Sequence, residues 1–209
     1  MPPKVSDEHV EARRQQILMA ALSCFAKNGF HGTTMKDICQ QADLSPGAVY
    51  SYFASKDELI EAIAAWGKQM NDDTFEDGSA IETTDPKEGM RQTIALFIRR
   101  MKNPEMQVGS RADIMLASEM LTNPKLFEIA RDGYEHVMQQ ILKAVVPMQE
   151  AGIINPDLDS RAVSQVLMTL VSAAGQLPHQ DPHTDIDAYL DAVENILFGG
   201  FWSNEHKKK

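Results

Sequence analysis

Apolar residues recur along this chain at three- and four-residue intervals, the spacing of one face of an α-helix. Ile17, Ala20, Ala21, Cys24 and Phe25 form the first such face, and Asn28-Gly29 behind it suits a left-handed helix end. The next stretch, "TTMKDICQQADLSPGAVYSYFASKDEL" from Thr33 to Leu59, carries three helix starts. Thr34 has Asp37 three residues on, an acidic capping box, and Met35, Ile38, Cys39 and Ala42 supply the apolar face behind it. Ser45 precedes Pro46, whose missing N–H costs nothing at the first helical position. Ser55 has Glu58 three residues on, a second capping box, and its helix continues through "KDELIEAIAAWGKQM". The polar, Gly- and Pro-marked run "NDDTFEDGSAIETTDP", 71–86, reads as a loop joining two domains. Helical spacing then returns in "KEGMRQTIALFIRRMK", "MQVGSRADIMLASEML" and "KLFEIARDGYEHVMQQILKAVVPMQEAG", the last stopping near Gly152. After the turn "NPDLD", two more helices, "SRAVSQVLMTLVSAAGQL" and "DIDAYLDAVENILFGGFW", flank the polar spacer "PHQDPHTD". Strand alternation is never sustained, so the fold class is all-α.

Short helices separated only by a turn are the layout of a helix-turn-helix. The helix after Ser45 explains its own composition when its faces are counted at about 100° per residue. Pro46, Val49, Tyr52 and Phe53 share one side, with Val49 and Phe53 as inward anchors. Gly47 and Ser51 lie opposite, flanked by Ala48 and Tyr50. So short a helix is marginal in water by itself and needs neighbours to pack on. Its small outer face lets the backbone approach DNA in the major groove. There Ala48 can meet a thymine methyl and Ser51 a base edge. Tyr50 and Tyr52 carry hydroxyls for phosphate oxygens. Thr33, Thr34, Lys36 and Lys56, at helix starts, add further phosphate donors, and Ser45, Pro46 and Gly47, at the start of the expected reading helix, complete the expected DNA-binding set.

Charge first argues against this and then permits it. The 209 residues carry a net charge of -10, whereas nucleic-acid binders are usually basic. The acid is uneven, however: residues 1–56 hold six Lys/Arg and five Asp/Glu, so the net charge is +1 there and -11 in the remainder. With 43% hydrophobic residues the chain can bury a core. It has no run of about 18 apolar residues and no signal-peptide pattern at "MPPKVSDEHVEARR", so a cytoplasmic protein is expected. Cys24 and Cys39 fall on apolar helix faces and read as buried thiols rather than a disulfide framework or a redox pair. Phosphate-binding glycine loops, nucleophile elbows and zinc helix motifs are missing from the sequence, which points away from an enzyme, and no cofactor is called for.

The run Ala20, Ala21, Phe25, Gly29, Phe30, Thr33, Thr34, Ile38, Ala42, Ser45, Gly47, Tyr50, Tyr52, Phe53, Lys56 and Leu59 resembles the DNA-binding domain of the TetR family of transcriptional regulators. It departs from the family pattern at Cys39, usually a small Ala, and at Asp43, usually Gly, though Asp tolerates a left-handed turn. The resemblance implies an all-helical homodimer of about nine helices per chain. A DNA-binding head, 1–56, would precede a ligand-binding and dimerising body, 57–209. It further implies that the last two helices pair with their mates, through Val163, Val166, Leu167, Leu170, Val171 and Ala174 and through Leu190, Val193, Leu197 and Phe201. The function implied is a repressor released from a palindromic operator by a small molecule. The alternative is a regulator or activator of the same fold that answers to a protein partner or to no ligand.

The body is rich in methionine, a flexible and polarisable side chain that accepts varied apolar partners. Trp66, Phe97, Met101, Met115, Met138 and Met168 can line a lipophilic cavity, with Ser118, Glu119 and Tyr134 as polar members. Asp113 or Glu119 facing inward would favour a cationic ligand, and Arg111 an anion. His179 and His183, with Asp181 and Asp185, have metal-ligand chemistry, but they sit in a Pro-marked polar loop, and no metal site is expected.

Overall fold

The computed structural model describes residues 7–199, and among these helices are the only regular elements. The helices in chain order are α1 (Asp7–Gly32), α2 (Met35–Gln41), α3 (Pro46–Tyr50), α4 (Lys56–Ser79), α5 (Pro86–Arg100), α6 (Pro104–Met120), α7 (Pro124–Glu150), α8 (Ser160–Gln180) and α9 (Ile186–Phe198). Phe201 lies outside the described residues.

The chain forms two compact units. One combines residues up to Gly67 with Val108–Gly133, and the other combines Lys68–Gln107 with the described residues from Tyr134 onward. The first unit thus reaches past residue 56 into α4 and takes in most of α6 and the start of α7.

In the first unit the signals at Thr34 and Ser45 act as the sequence predicts. The box expected at Ser55 is displaced: Ser55 Oγ accepts from Glu58 N–H, but Glu58 Oε2 accepts from Ala54 N–H. Thr34 caps α2 with a reciprocal capping box: its Oγ1 accepts from Asp37 N–H, and Asp37 Oδ2 accepts from Thr34 N–H at 2.8 Å. The Thr34 hydroxyl, which donates to Asp37 Oδ2 at 2.7 Å, and then the Thr34 N–H hold the Asp37 carboxyl below the usual carboxylate range. Ser45 caps α3 by accepting from Ala48 N–H, with Pro46 in the first turn. Between α2 and α3, Asp43 takes φ 53, the one positive φ outside glycine among the described residues. Ile17, Ala21 and Phe25 of α1, Ile38 and Cys39 of α2, Val49, Phe53 and Leu59 bury one another in a single core. That mutual burial, not intrinsic propensity, sustains the five-residue α3. Cys24 and Cys39 are both buried, and burial pushes the Cys24 thiol up.

The second unit packs α5 against α8 and α9. Ile94, Ala95 and Ile98 meet Ala174, Ile186, Leu190 and Val193. At its edge Arg91 bridges Glu88 and Glu194, at 2.5 and 3.0 Å. Gln149 of α7 donates to the carbonyls of Asn155 and Leu158, fixing the turn into α8.

The loop expected over 71–86 is shorter than its composition suggests. Residues 71–79 are not part of it: α4 runs through them to Ser79, leaving a short connection before α5. The polar composition hides a packed face. Thr74 is buried, donates to Met70 O at 2.7 Å and receives the Arg100 guanidinium. Phe75 stands edge-on to Phe97 with ring centroids 4.8 Å apart. Gly78 permits close approach to α5, since a Cβ there would sit 2.6 Å from Thr93 Cγ2. Tertiary packing therefore carries the helix through residues with weak propensity.

Candidate nucleic-acid interface

The outer surface of the first unit gathers most of the residues expected to meet DNA. Lys36 on α2, and Ser45, Pro46, Gly47, Tyr50 and Ser51 on and beside α3, are exposed, with Ala48 half-buried. Tyr50 is 51% exposed, large for an aromatic ring without a partner surface. A Cβ added to Gly47 would meet nothing within 4 Å, so the face is open. Ser51 Oγ donates to Ala48 O at 2.7 Å, which leaves its lone pairs available to a donor on a base edge. Thr34 is exposed, but its hydroxyl serves the α2 cap.

Three expected contacts are placed differently. Thr33 is fully buried, and its hydroxyl donates to Gly29 O at 2.8 Å. Tyr52 is half-buried and packs on the head core. Lys56 points into its own unit: Nζ donates to Phe30 O at 2.5 Å and to Thr33 O at 2.7 Å, and lies 4.4 Å from the Phe30 ring centroid. For Thr33 and Lys56, position at a helix start did not decide orientation; the turn at the end of α1 did.

That turn has a partner without local sequence signal. Gly29, at φ 70 and ψ 176, interrupts α1. Phe30 N–H beyond it donates to Glu119 Oε1 of α6 at 2.7 Å, across 89 positions of sequence. Glu119 Oε2 is buried without a hydrogen-bond partner among the described residues, 4.0 Å from His31 Nε2. Glu119 thus belongs to the α1 turn.

The other expected cavity residues are dispersed. Trp66 packs beside Leu22, Ala26 and Ala112 in the first unit. Met115 is exposed there, and nothing is described of the Ser118 side chain. In the second unit Phe97 and Met138 are buried, Met101 packs on the core, and Met168 is half-buried. Tyr134 Oη accepts from Gln165 at 2.9 Å. Of the residues expected at a dimer interface, Ala174, Leu190 and Val193 are buried within one chain. Leu167, Leu170, Val171 and Leu197 pack on that same core, whereas Val163 is half-buried and Val166 is 55% exposed. His179 Nε2 lies 3.1 Å from Gln107 O, and no group of three metal-ligating side chains occurs among the described residues. None of the described helices is long and apolar enough to cross a membrane.

A short, buried-core helix-turn-helix with an open, small-residue face defines the class: a helix-turn-helix DNA-binding protein. Residues 17–63 match the family model for bacterial regulatory proteins of the tetR family. Over these residues the chain carries a tetR-type helix-turn-helix domain. It is 27% identical over 158 residues to the HTH-type transcriptional regulator UidR of Escherichia coli, covering 75% of this chain and 76% of UidR. It is 25% identical to the HTH-type transcriptional repressor KstR of Mycobacterium tuberculosis, covering 94% and 85%. Among solved structures it superposes on the regulator FadR of Bacillus subtilis, in complex with stearoyl-CoA, with TM-score 0.72 and 20% identity over 90% of this chain and 99% of that one. It also superposes on AibR, in complex with isovaleryl coenzyme A and operator DNA, with TM-score 0.69 and 18% identity over 90% and 100%. At these identities the structural likeness is one of fold.

Proposed function

We propose that the chain is a transcriptional repressor without a catalytic step, acting in the cytoplasm as a homodimer on a palindromic operator and released by a small, largely lipophilic ligand. The observation that carries this reading is the α3 face. Gly47, Ser51 and Tyr50 are open to solvent while Val49 and Phe53 on the reverse are buried in the head core. A rigid, nearly uncharged helix face with hydroxyls at its rim suits base edges, and exposed Lys36 suits an adjacent phosphate. A dimer would set its two reading helices about 34–36 Å apart, one DNA turn. A ligand that binds better to a state with another spacing then weakens operator binding by linkage.

The homodimer is supported by apolar side chains left open on the last two helices, Val166 at 55% and Ile196 at 52% exposure. Acyl-CoA thioesters bound to FadR and AibR, together with this chain's methionine-rich body, favour an acyl thioester or a similarly lipophilic molecule as the ligand class. Stearoyl-CoA and isovaleryl-CoA are the first probes: a rise in melting temperature together with loss of DNA binding supports release by ligand. A rise without loss of DNA binding contradicts it.

A further inference from the structure

Both backbone groups of Phe30 are held by charged side chains. Its N–H donates to Glu119 Oε1 of α6 at 2.7 Å, and its carbonyl accepts from Lys56 Nζ of α4 at 2.5 Å. The same ammonium also holds Thr33 O, at 2.7 Å, while His31 N–H reaches Glu119 Oε1 at 3.4 Å. Gly29 makes the arrangement possible: its φ of 70 turns the chain, and a Cβ there would stand 2.9 Å from Glu119 Oε1. The turn so fixed leads directly into Thr34, the cap of α2, and so into the helix-turn-helix. A lysine with two carbonyls and a ring as partners is directed inward. Charge-assisted bonds of this kind are among the stronger ones a protein makes.

We propose that Lys56 and Glu119 are positioning residues for DNA recognition. They bracket the Phe30 turn, set where α2 and α3 stand, and do not themselves touch DNA. This role rests on the DNA-binding reading and deepens it.

The test compares Lys56→Met, Glu119→Ala and Glu119→Gln with the wild-type protein on a duplex that the wild type enriches from a random pool. Binding is measured over a salt series, at a temperature where circular dichroism shows each variant folded. Lys56→Met, which removes both carbonyl contacts of the ammonium, and Glu119→Ala, which removes the acceptor for Phe30 and His31 N–H, are expected to bind at least about tenfold more weakly. Their slope of log affinity on log salt stays that of the wild type. Glu119→Gln keeps an acceptor for Phe30 N–H, remains the milder variant should the alanine change unfold the head, and recovers most of the affinity. Amide exchange at Phe30 and His31 quickens in Glu119→Ala and stays slow in Glu119→Gln. Lys36→Ala, the reference for a direct phosphate contact, lowers the slope by about 0.9. The same fall in Lys56→Met means that Lys56 touches phosphate and overturns the proposal. Wild-type affinity in folded Lys56→Met and Glu119→Ala overturns it as well, since a purely structural role moves melting temperature and not affinity. A wild-type protein that enriches no duplex sinks the DNA-binding reading itself, a result distinct from either of these.

Discussion

On the proposed reading, Ser51 and Lys36 make separable contributions at the scale of single residues. Ser51 Oγ is already a donor to Ala48 O, so on a base edge it acts as an acceptor. Ser51→Ala is therefore expected to change the preferred base more than the overall affinity, read by repeating the duplex selection with the variant. An unchanged selected sequence removes Ser51 as a reader.

Caps and breaks decide the elements of the head, and their cost can be predicted. Thr34→Ala removes the acceptor for Asp37 N–H and should cost about 1 kcal/mol in denaturant unfolding. Gly29→Ala should cost more than about 1 kcal/mol, since a Cβ at φ 70 is strained and meets Glu119. Equal stability of Gly29→Ala and the wild type would mean that the turn does not hold this geometry. These same features are the ones legible in the sequence, because a cap or a turn is written in residues three or four apart. Thr34 with Asp37, Ser45 with Pro46, Gly29 and the left-handed Asp43 all announce themselves locally. The inward pair Val49 and Phe53 is equally plain, from helical spacing alone. The end of α4 is not legible: Thr74 and Phe75 sit in a polar run, and only contact with Arg100 and Phe97 makes them helical core. Nor is the bracket on Phe30, since a carboxylate 89 positions away leaves no periodic trace. Lys56 occupies a position where a phosphate contact is a reasonable reading, and its orientation is settled by carbonyls that come together only when α1 turns at Gly29.

On the scale of the whole molecule, charge and assembly work together. On the proposed reading, a head near neutrality meets DNA while the acidic remainder keeps non-specific attraction to DNA low, so affinity is expected to come from fitted contacts and from the two heads of the proposed dimer acting together. Val166→Asp places a charge on a side chain 55% exposed in the single chain and is expected to yield folded monomers in sedimentation, with operator affinity falling steeply. A folded Val166→Asp dimer would place the interface elsewhere. The central claim, a symmetric reader of DNA, is tested most directly by selecting duplexes from a random pool with the purified wild-type protein at stated salt. The expected result is an enriched near-palindrome whose half-site centres lie about one helical turn, or a multiple of it, apart. A folded protein that enriches no sequence, or only an asymmetric single site, contradicts it.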